Sequence, residues 1–366
     1  MIKSTLVIGC LLLGSVSSWA SDKLSLADVT ASPQVFTPGV NDAVKVSFNL
    51  NKPATVVLNI YDARDYLIRS IQSNTRLTKG EQSLSWNGKD QSSRIVPPEA
   101  YYYTLVATAE NGESVTHDLT DKTGGDTVLS VTSKYDPAKK IIRYALPKTA
   151  RVFIRVGIEG GNIYGTVVNG TIRRAGKQTQ AWEGWDQSRV IALGKHPKLK
   201  VYVEGIQLSD NAIIVEDNKA VLPTYLPYKP NDIIKRNASA KPISANYHVN
   251  HVREQCHDFP ITLSLPDNLK KDKDGLPIIN GKTPLTMGLS DEYIAMLESQ
   301  RFEVVYYLNN QLLYENEISY TPYNWIWDPK TLAGGVHYMT AVVIGYSGHY
   351  GVASIKFRLA KPDAKK

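Results

Sequence analysis

Apolar and polar residues alternate strictly over 44–50, with Val44, Val46, Phe48 and Leu50 on one side and Lys45, Ser47 and Asn49 on the other. A period of two marks a strand with one buried face. Val56, Leu58 and Ile60 repeat the pattern, and 101–106 predicts a further strand after the turn-forming pair Pro97-Pro98. A shift of 96 positions lays this region on a second one without a gap. Leu50 meets Leu146, Lys52 meets Lys148, and Val56, Leu58 and Ile60 meet Val152, Ile154 and Val156. Gly80, Gln82, Trp86, Gly88 and Asp90 then meet Gly176, Gln178, Trp182, Gly184 and Asp186. Shared core positions, turn glycines and a tryptophan predict two tandem β-units of one fold, too few copies for a solenoid.

Beyond them, residues 222–250 carry Pro223, Pro227, Pro230 and Pro242 without an apolar period, the composition of an extended connector. Short strand patterns return at 261–265, 285–289, 302–308, 311–317, 323–327, 337–344 and 353–359. Asn309-Asn310 marks a hairpin, and Ser290-Asp291-Glu292 opens a short helix before Ile294, Met296 and Leu297. The expected fold is all-β: three tandem immunoglobulin-like β-sandwiches over 21–120, 121–221 and 251–366.

One stretch also resembles a known family. Asn51-Lys52-Pro53-Ala54-Thr55-Val56, Asn59-Ile60-Tyr61-Asp62, Lys79-Gly80-Glu81-Gln82, Trp86-Asn87-Gly88-Lys89-Asp90 and the run from Val96-Pro97-Pro98 to Tyr103 resemble the Ig-like domain of the flagellar hook-capping protein. The resemblance covers roughly residues 30 to 110. It is weaker over 130–218, where 191–200 lacks the Pro-x-x-x-Tyr turn into the last strand. Trp325-Ile326-Trp327-Asp328 and Gly334-Gly335 resemble generic bacterial Ig-like modules. What the resemblance implies is a sandwich fold and little else; hook capping itself is not implied.

Residues 1–20 read as a secretory signal peptide, with basic Lys3, an apolar run from Leu6 to Leu13 and small residues before Ala20. That run is too short to span a bilayer, and no other segment is apolar enough to do so. Removal of Cys10 with the leader leaves Cys256 alone, so the domains are expected to hold by their cores. The formal net charge of +7 forms no concentrated stripe. An exported chain of this kind is expected in the periplasm, on the outer surface or outside the cell, with envelope or extracellular proteins as partners and polysaccharide as the alternative. Nucleic acid is not an expected partner.

No catalytic constellation emerges. Gly345-Tyr346-Ser347-Gly348-His349 is not a nucleophile elbow, because its Ser and His lie two residues apart in a hairpin turn. His248, His251, Cys256 and His257 gather metal-ligating side chains within ten residues, but their spacing on a strand sends them to opposite faces. They are candidate ligands for a transition metal or haem iron against a reading as solvent-facing imidazoles and a buried thiol, with no Cys-x-x-Cys-His for covalent haem attachment; otherwise no cofactor is expected. Asp272-Lys273-Asp274-Gly275 lacks the remaining ligands of a calcium loop and reads as a solvated turn. Trp86 and Trp182 read as core plugs at a strand end, followed by a Gly turn whose Asp binds amides. Trp185, Tyr346 and Tyr350 are the candidate glycan or partner contacts, since exposed aromatic rings with polar edges suit a soluble contact surface.

Overall fold

The structure is a computed structural model describing residues 23–40, 43–120, 122–129, 132–216, 258–289, 291–298, 301–317, 319–345 and 349–360. The expected signal peptide, the 222–250 connector, Tyr346 and the group His248, His251, Cys256 and His257 lie outside the described residues.

In chain order, the first strands are β1 (Leu26–Ser32), β2 (Val35–Phe36), β3 (Val44–Leu50), β4 (Thr55–Tyr61), β5 (Leu67–Gln72), β6 (Gly80–Trp86), β7 (Glu99–Thr108) and β8 (Ser114–His117). Next come β9 (Thr127–Leu129), β10 (Ser133–Asp136), β11 (Ile141–Leu146), β12 (Ala150–Ile158), β13 (Ile163–Arg173), β14 (Gly176–Ala181), β15 (Leu199–Gln207) and β16 (Ala212–Val215). The last group is β17 (Ile261–Ser264), β18 (Ile278–Ile279), β19 (Thr283–Leu289), the helix α1 (Asp291–Glu298), β20 (Phe302–Leu308), β21 (Gln311–Asn316), β22 (Tyr323–Trp327), β23 (Gly335–Gly345) and β24 (Tyr350–Leu359).

The first sandwich faces sheet β1-β3-β6 against β2-β16-β7-β4-β5. The alternating residues of β3 and β4 meet Tyr101, Tyr103 and Leu105 in its core. Each fully buried aliphatic chain contributes roughly 1.5–3 kcal/mol of transfer free energy. Trp86 has no exposed surface and meets Phe36 and Tyr101 edge-on at 5.7 and 5.4 Å. Its indole N–H donates to the Lys89 carbonyl at 2.9 Å. At the Pro-x-x-x-Tyr turn, the Tyr101 hydroxyl donates back to the Pro97 carbonyl at 2.9 Å.

The second sandwich repeats this plan with sheets β10-β11-β14 and β13-β12-β15-β9, and the 96-residue offset holds at the level of single pairings. Lys45 faces Ser85 as Ile141 faces Ala181, and Ile60 faces Arg69 as Val156 faces Gly165. The offset becomes 98 in the last shared strand, where Ile60 pairs with Tyr103 but Val156 with Val201. The 3₁₀ turn Leu193–Lys195 lies in the segment between, where the second copy lacks the proline-tyrosine turn.

Strand β16 leaves this sandwich. It pairs antiparallel with β7 and parallel with β2, so a segment that follows the second copy completes a sheet of the first. Buried Asn211 fixes the return by donating to the Tyr103 carbonyl at 2.8 Å and the Thr120 hydroxyl at 2.9 Å. The third sandwich packs β17-β19-β22 against β18-β24-β23-β20-β21, with Leu285, Met287, Val304, Tyr306, Val343 and Phe357 at its centre.

Strand β12 holds the assembly together, because it is buried on both faces. Val152, Ile154 and Val156 fill the second core. On the opposite face, Arg151 and Phe153 meet the first sandwich and Arg155 meets the third. Phe153 joins Tyr102, Ile206, Leu208 and Ile214 in a separate apolar cluster. Arg151, fully buried, donates to Glu99 Oε1 at 2.7 Å and to the Gly170 carbonyl at 2.6 Å. Burial alone would lower the Arg151 pKa, but the Glu99 carboxylate more than offsets this and holds the guanidinium charged.

Candidate interaction surfaces

The junction of the second and third sandwiches is built on a buried ion pair. Arg155 is 8% exposed and Asp258 4%. The guanidinium grips the carboxylate through two bonds, Nε to Oδ2 at 2.7 Å and Nη2 to Oδ1 at 2.8 Å. This fork geometry suits Arg better than Lys. Thr166 Oγ1 donates to Asp258 Oδ2 at 2.5 Å, and the Tyr350 amide donates to Oδ1 at 3.1 Å. Asn169 both accepts from the Asp258 amide and donates to its carbonyl, at 2.8 and 3.2 Å. Burial pushes the Asp258 carboxyl upward, but Arg155 and these donors outweigh it and hold the group below the usual carboxylate range.

Beside this pair the two sandwiches enclose a cleft of about 1000 Å³. Phe153, Arg155, Lys200 and Tyr202 line one side, and Tyr307, Val342, Ile344 and Tyr350 the other. Tyr202 is 40% exposed. The Arg155 guanidinium lies 5.2 Å from the Phe153 ring centroid and 5.0 Å from that of Tyr350. A concave space at a module boundary that combines aromatic rings with fixed polar and charged groups is a common form of a binding site.

A second depression, about 370 Å³, lies at the turn after β14. Trp182 stands over it half-buried, edge-on to Tyr135 at 4.7 Å, with its indole N–H donating to the Trp185 carbonyl at 3.0 Å. Buried Asp186 organises the turn, its Oδ1 accepting the Val190 and Ile191 amides at 2.6 Å each. Trp185 is 39% exposed. Gly165, Glu183, Gln187 and Arg189 are also in the lining.

Of the sequence-predicted contacts among the described residues, Trp185 lines the depression and Tyr350 the cleft. The Asp272 loop is a structural turn: its carboxylate accepts the Asp274 and Leu276 amides at 2.9 Å each and the Arg358 guanidinium at 2.5 Å. His349 is buried, its Nδ1 3.9 Å from Asp258 Oδ1. Among the described residues no group of three or more His, Cys, Asp or Glu could hold a metal ion. Sequence reasoning missed Arg155, Asp258, Tyr202 and Tyr307. The available signal was Arg151-Val152-Phe153-Ile154-Arg155, where an aromatic between two arginines on the polar face of a strand marks a face that another module covers.

Residues 32–113 match the family of the FlgD Ig-like domain, so the first sandwich is a domain of that type. No curated protein matches the chain. Among solved structures, the fibronectin(III)-like modules of Clostridium thermocellum CbhA share 10% identity, with 92% of this chain and 97% of that chain covered at a TM-score of 0.21. A bacterial ice-binding adhesin shares 12% over 93% of this chain and 99% of that one, TM-score 0.20. A tetra-tandem repeat of a large adhesion protein shares 15% over 92% and 74%, TM-score 0.20. Likenesses this loose carry no inference about ligand or partner. No helix among the described residues is long and apolar enough to cross a membrane.

Proposed function

We propose that the protein is a non-catalytic, exported interaction module of a cell-envelope or extracellular assembly, in which the cleft between the second and third sandwiches receives a partner protein. The observation that carries this reading is the double-sided burial of β12. It joins three Ig-like sandwiches into one body and holds the aromatic cleft open at a junction fixed by Arg155 and Asp258. A preformed cleft between rigid sheets reduces the ordering cost of association. Cross-linking of the native protein in its source cells, followed by purification, tests the proposal. A specific envelope or extracellular protein is expected to be recovered, with at least a tenfold loss on Tyr202→Ala. Recovery of the uncross-linked chain alone, or recovery unaffected by Tyr202→Ala, would overturn it.

A further inference from the structure

The two related sandwiches provide an internal control for the depression at Trp185. The turns after β6 and β14 share their opening hydrogen bonds and differ at their close, where the Asp90 amide bonds the Arg94 carbonyl but the Asp186 amide that of Ile191. Gln91 donates its amide to the Ile68 carbonyl as Gln187 does to Tyr164. Asp90 Oδ1 accepts the Arg94 amide as Asp186 Oδ1 accepts that of Val190. Both tryptophans bond the carbonyl three residues on.

What fills this turn differs. In the first copy, Arg69 reaches across it and its Nη1 donates to the Asp90 and Gln91 carbonyls at 3.0 and 3.4 Å. Arg94 supplies a second guanidinium, pairing with Asp90 Oδ2 at 2.8 Å. At the matching positions the second copy has Gly165 and Val190, so both guanidinium groups are gone while the groups they served remain. Asp186 accepts backbone amides from Ser188, Val190 and Ile191 and has no ion pair among the described residues. Lys89 of the first copy is replaced by Trp185, whose carbonyl does the shared work and whose indole is not needed by the turn. The result is a depression lined by Asp186, by Glu183 in its pair with Lys140, by Arg189 and by an exposed indole, open where its counterpart is plugged by arginine.

We infer that this depression accepts an arginine side chain presented by a partner protein. The incoming guanidinium takes the place that Arg69 holds in the first copy, donating to the Asp186 and Gln187 carbonyls beside the Asp186 carboxylate and stacking on Trp185. Delocalised charge, planar donors and affinity for an indole face favour Arg over Lys. Arg189 in the lining is no obstacle in kind, since the first copy holds both Arg69 and Arg94 against a single aspartate. The inference extends the interaction-module reading to a second surface and is independent of the cleft.

Titration of the full chain with the blocked tripeptide acetyl-Gly-Arg-Gly-amide, followed by the indole N–H resonance of Trp185, tests it. A saturable shift is expected, about tenfold weaker with the matched lysine peptide. Gly165→Arg, which restores the plug, and Trp185→Lys, which restores the other residue of the first copy, are each expected to abolish the arginine response. Retained thermal unfolding verifies that each variant is folded. An added Cβ at Gly165 would lie 3.0 Å from the Gln187 amide nitrogen, a position where the first copy accommodates Arg69, and Trp185→Lys introduces no such contact. Absence of a saturable shift, equal response to the lysine peptide, or an undiminished arginine response in either folded variant would overturn the inference. A shift produced by a neutral oligosaccharide in place of the arginine peptide would assign the depression to glycan instead. Because Tyr202→Ala leaves this response untouched, failure of the cleft reading and failure of this one are separable.

Discussion

The two junctions that meet on β12 share a buried arginine–carboxylate pair and differ in what surrounds it. The first sandwich is joined to the second by Arg151 and Glu99, by an apolar cluster around Phe153 and Tyr102 and by β16, which returns to its sheet after the second copy is complete. The third is joined through Asp258 and a set of directed polar bonds, beside an open cleft. Apolar burial is tolerant of small shifts, whereas a forked ion pair fixes orientation and is costly to break. Both junctions therefore have a defined geometry, and the first adds to it the permanence of apolar burial and a shared strand.

The largest effect should come from Asp258→Ala, which removes the forked partner of buried Arg155 and leaves it only the half-exposed Glu204 carboxylate at 3.2 Å. Loss of one partner of a buried pair costs about 3–5 kcal/mol. Hydrogen exchange is expected to show lost protection at the second junction, in β13 and β24, with β16 unaffected. Loss of protection in β16 as well would mean that the junctions behave as one unit. Phe153→Ala should cost about 3–4 kcal/mol through the cavity it leaves in the first junction, read by denaturant unfolding, and should expose β16 first.

Asn211→Ala sharpens the same side of the comparison. It removes donors to Tyr103 and Thr120 in a buried setting, so a loss of about 1–3 kcal/mol with faster exchange in β16 is expected. Thr166→Val removes one hydroxyl donor from Asp258 and should cost about 1 kcal/mol.

Acid should separate the junctions too. The Asp258 carboxyl is held below its ordinary value in the folded state. Its contribution is therefore complete above the unfolded-state value of about 3.9 and is lost as pH falls through the lower folded-state value. Scattering profiles between about pH 5 and pH 2 should show the third sandwich loosening before the first junction does. A single concerted transition would count against the distinction.

The repeat was legible because each strand buries one face, and a period of two survives in the sequence whatever packs outside it. That is why Val152, Ile154 and Val156 were placed in a core, and why Trp86, matched to Trp182 and followed by a Gly turn, read as a plug. The other face of β12 went unread. Arg151 and Arg155 alternate with apolar residues there, and both are buried by neighbouring modules. Trp185 stood out as exposed from its place in a turn. The vacancy beside it was also written in the chain, as Gly165 in the register of Arg69, but the meaning of that exchange required knowing that Arg69 reaches the carbonyls of Asp90 and Gln91.

Local pattern alone thus determined strand content, the duplicated fold and the turns that close each copy, because these depend on residues near in sequence or related by a fixed offset. Tertiary structure decided where β16 pairs, which polar strand face becomes an interior, and which aromatic residues share a surface. Those outcomes depend on partners far apart in the chain. Asp258 reaches Arg155 from 103 residues away, and no period in the sequence records which buried cation a carboxylate will meet.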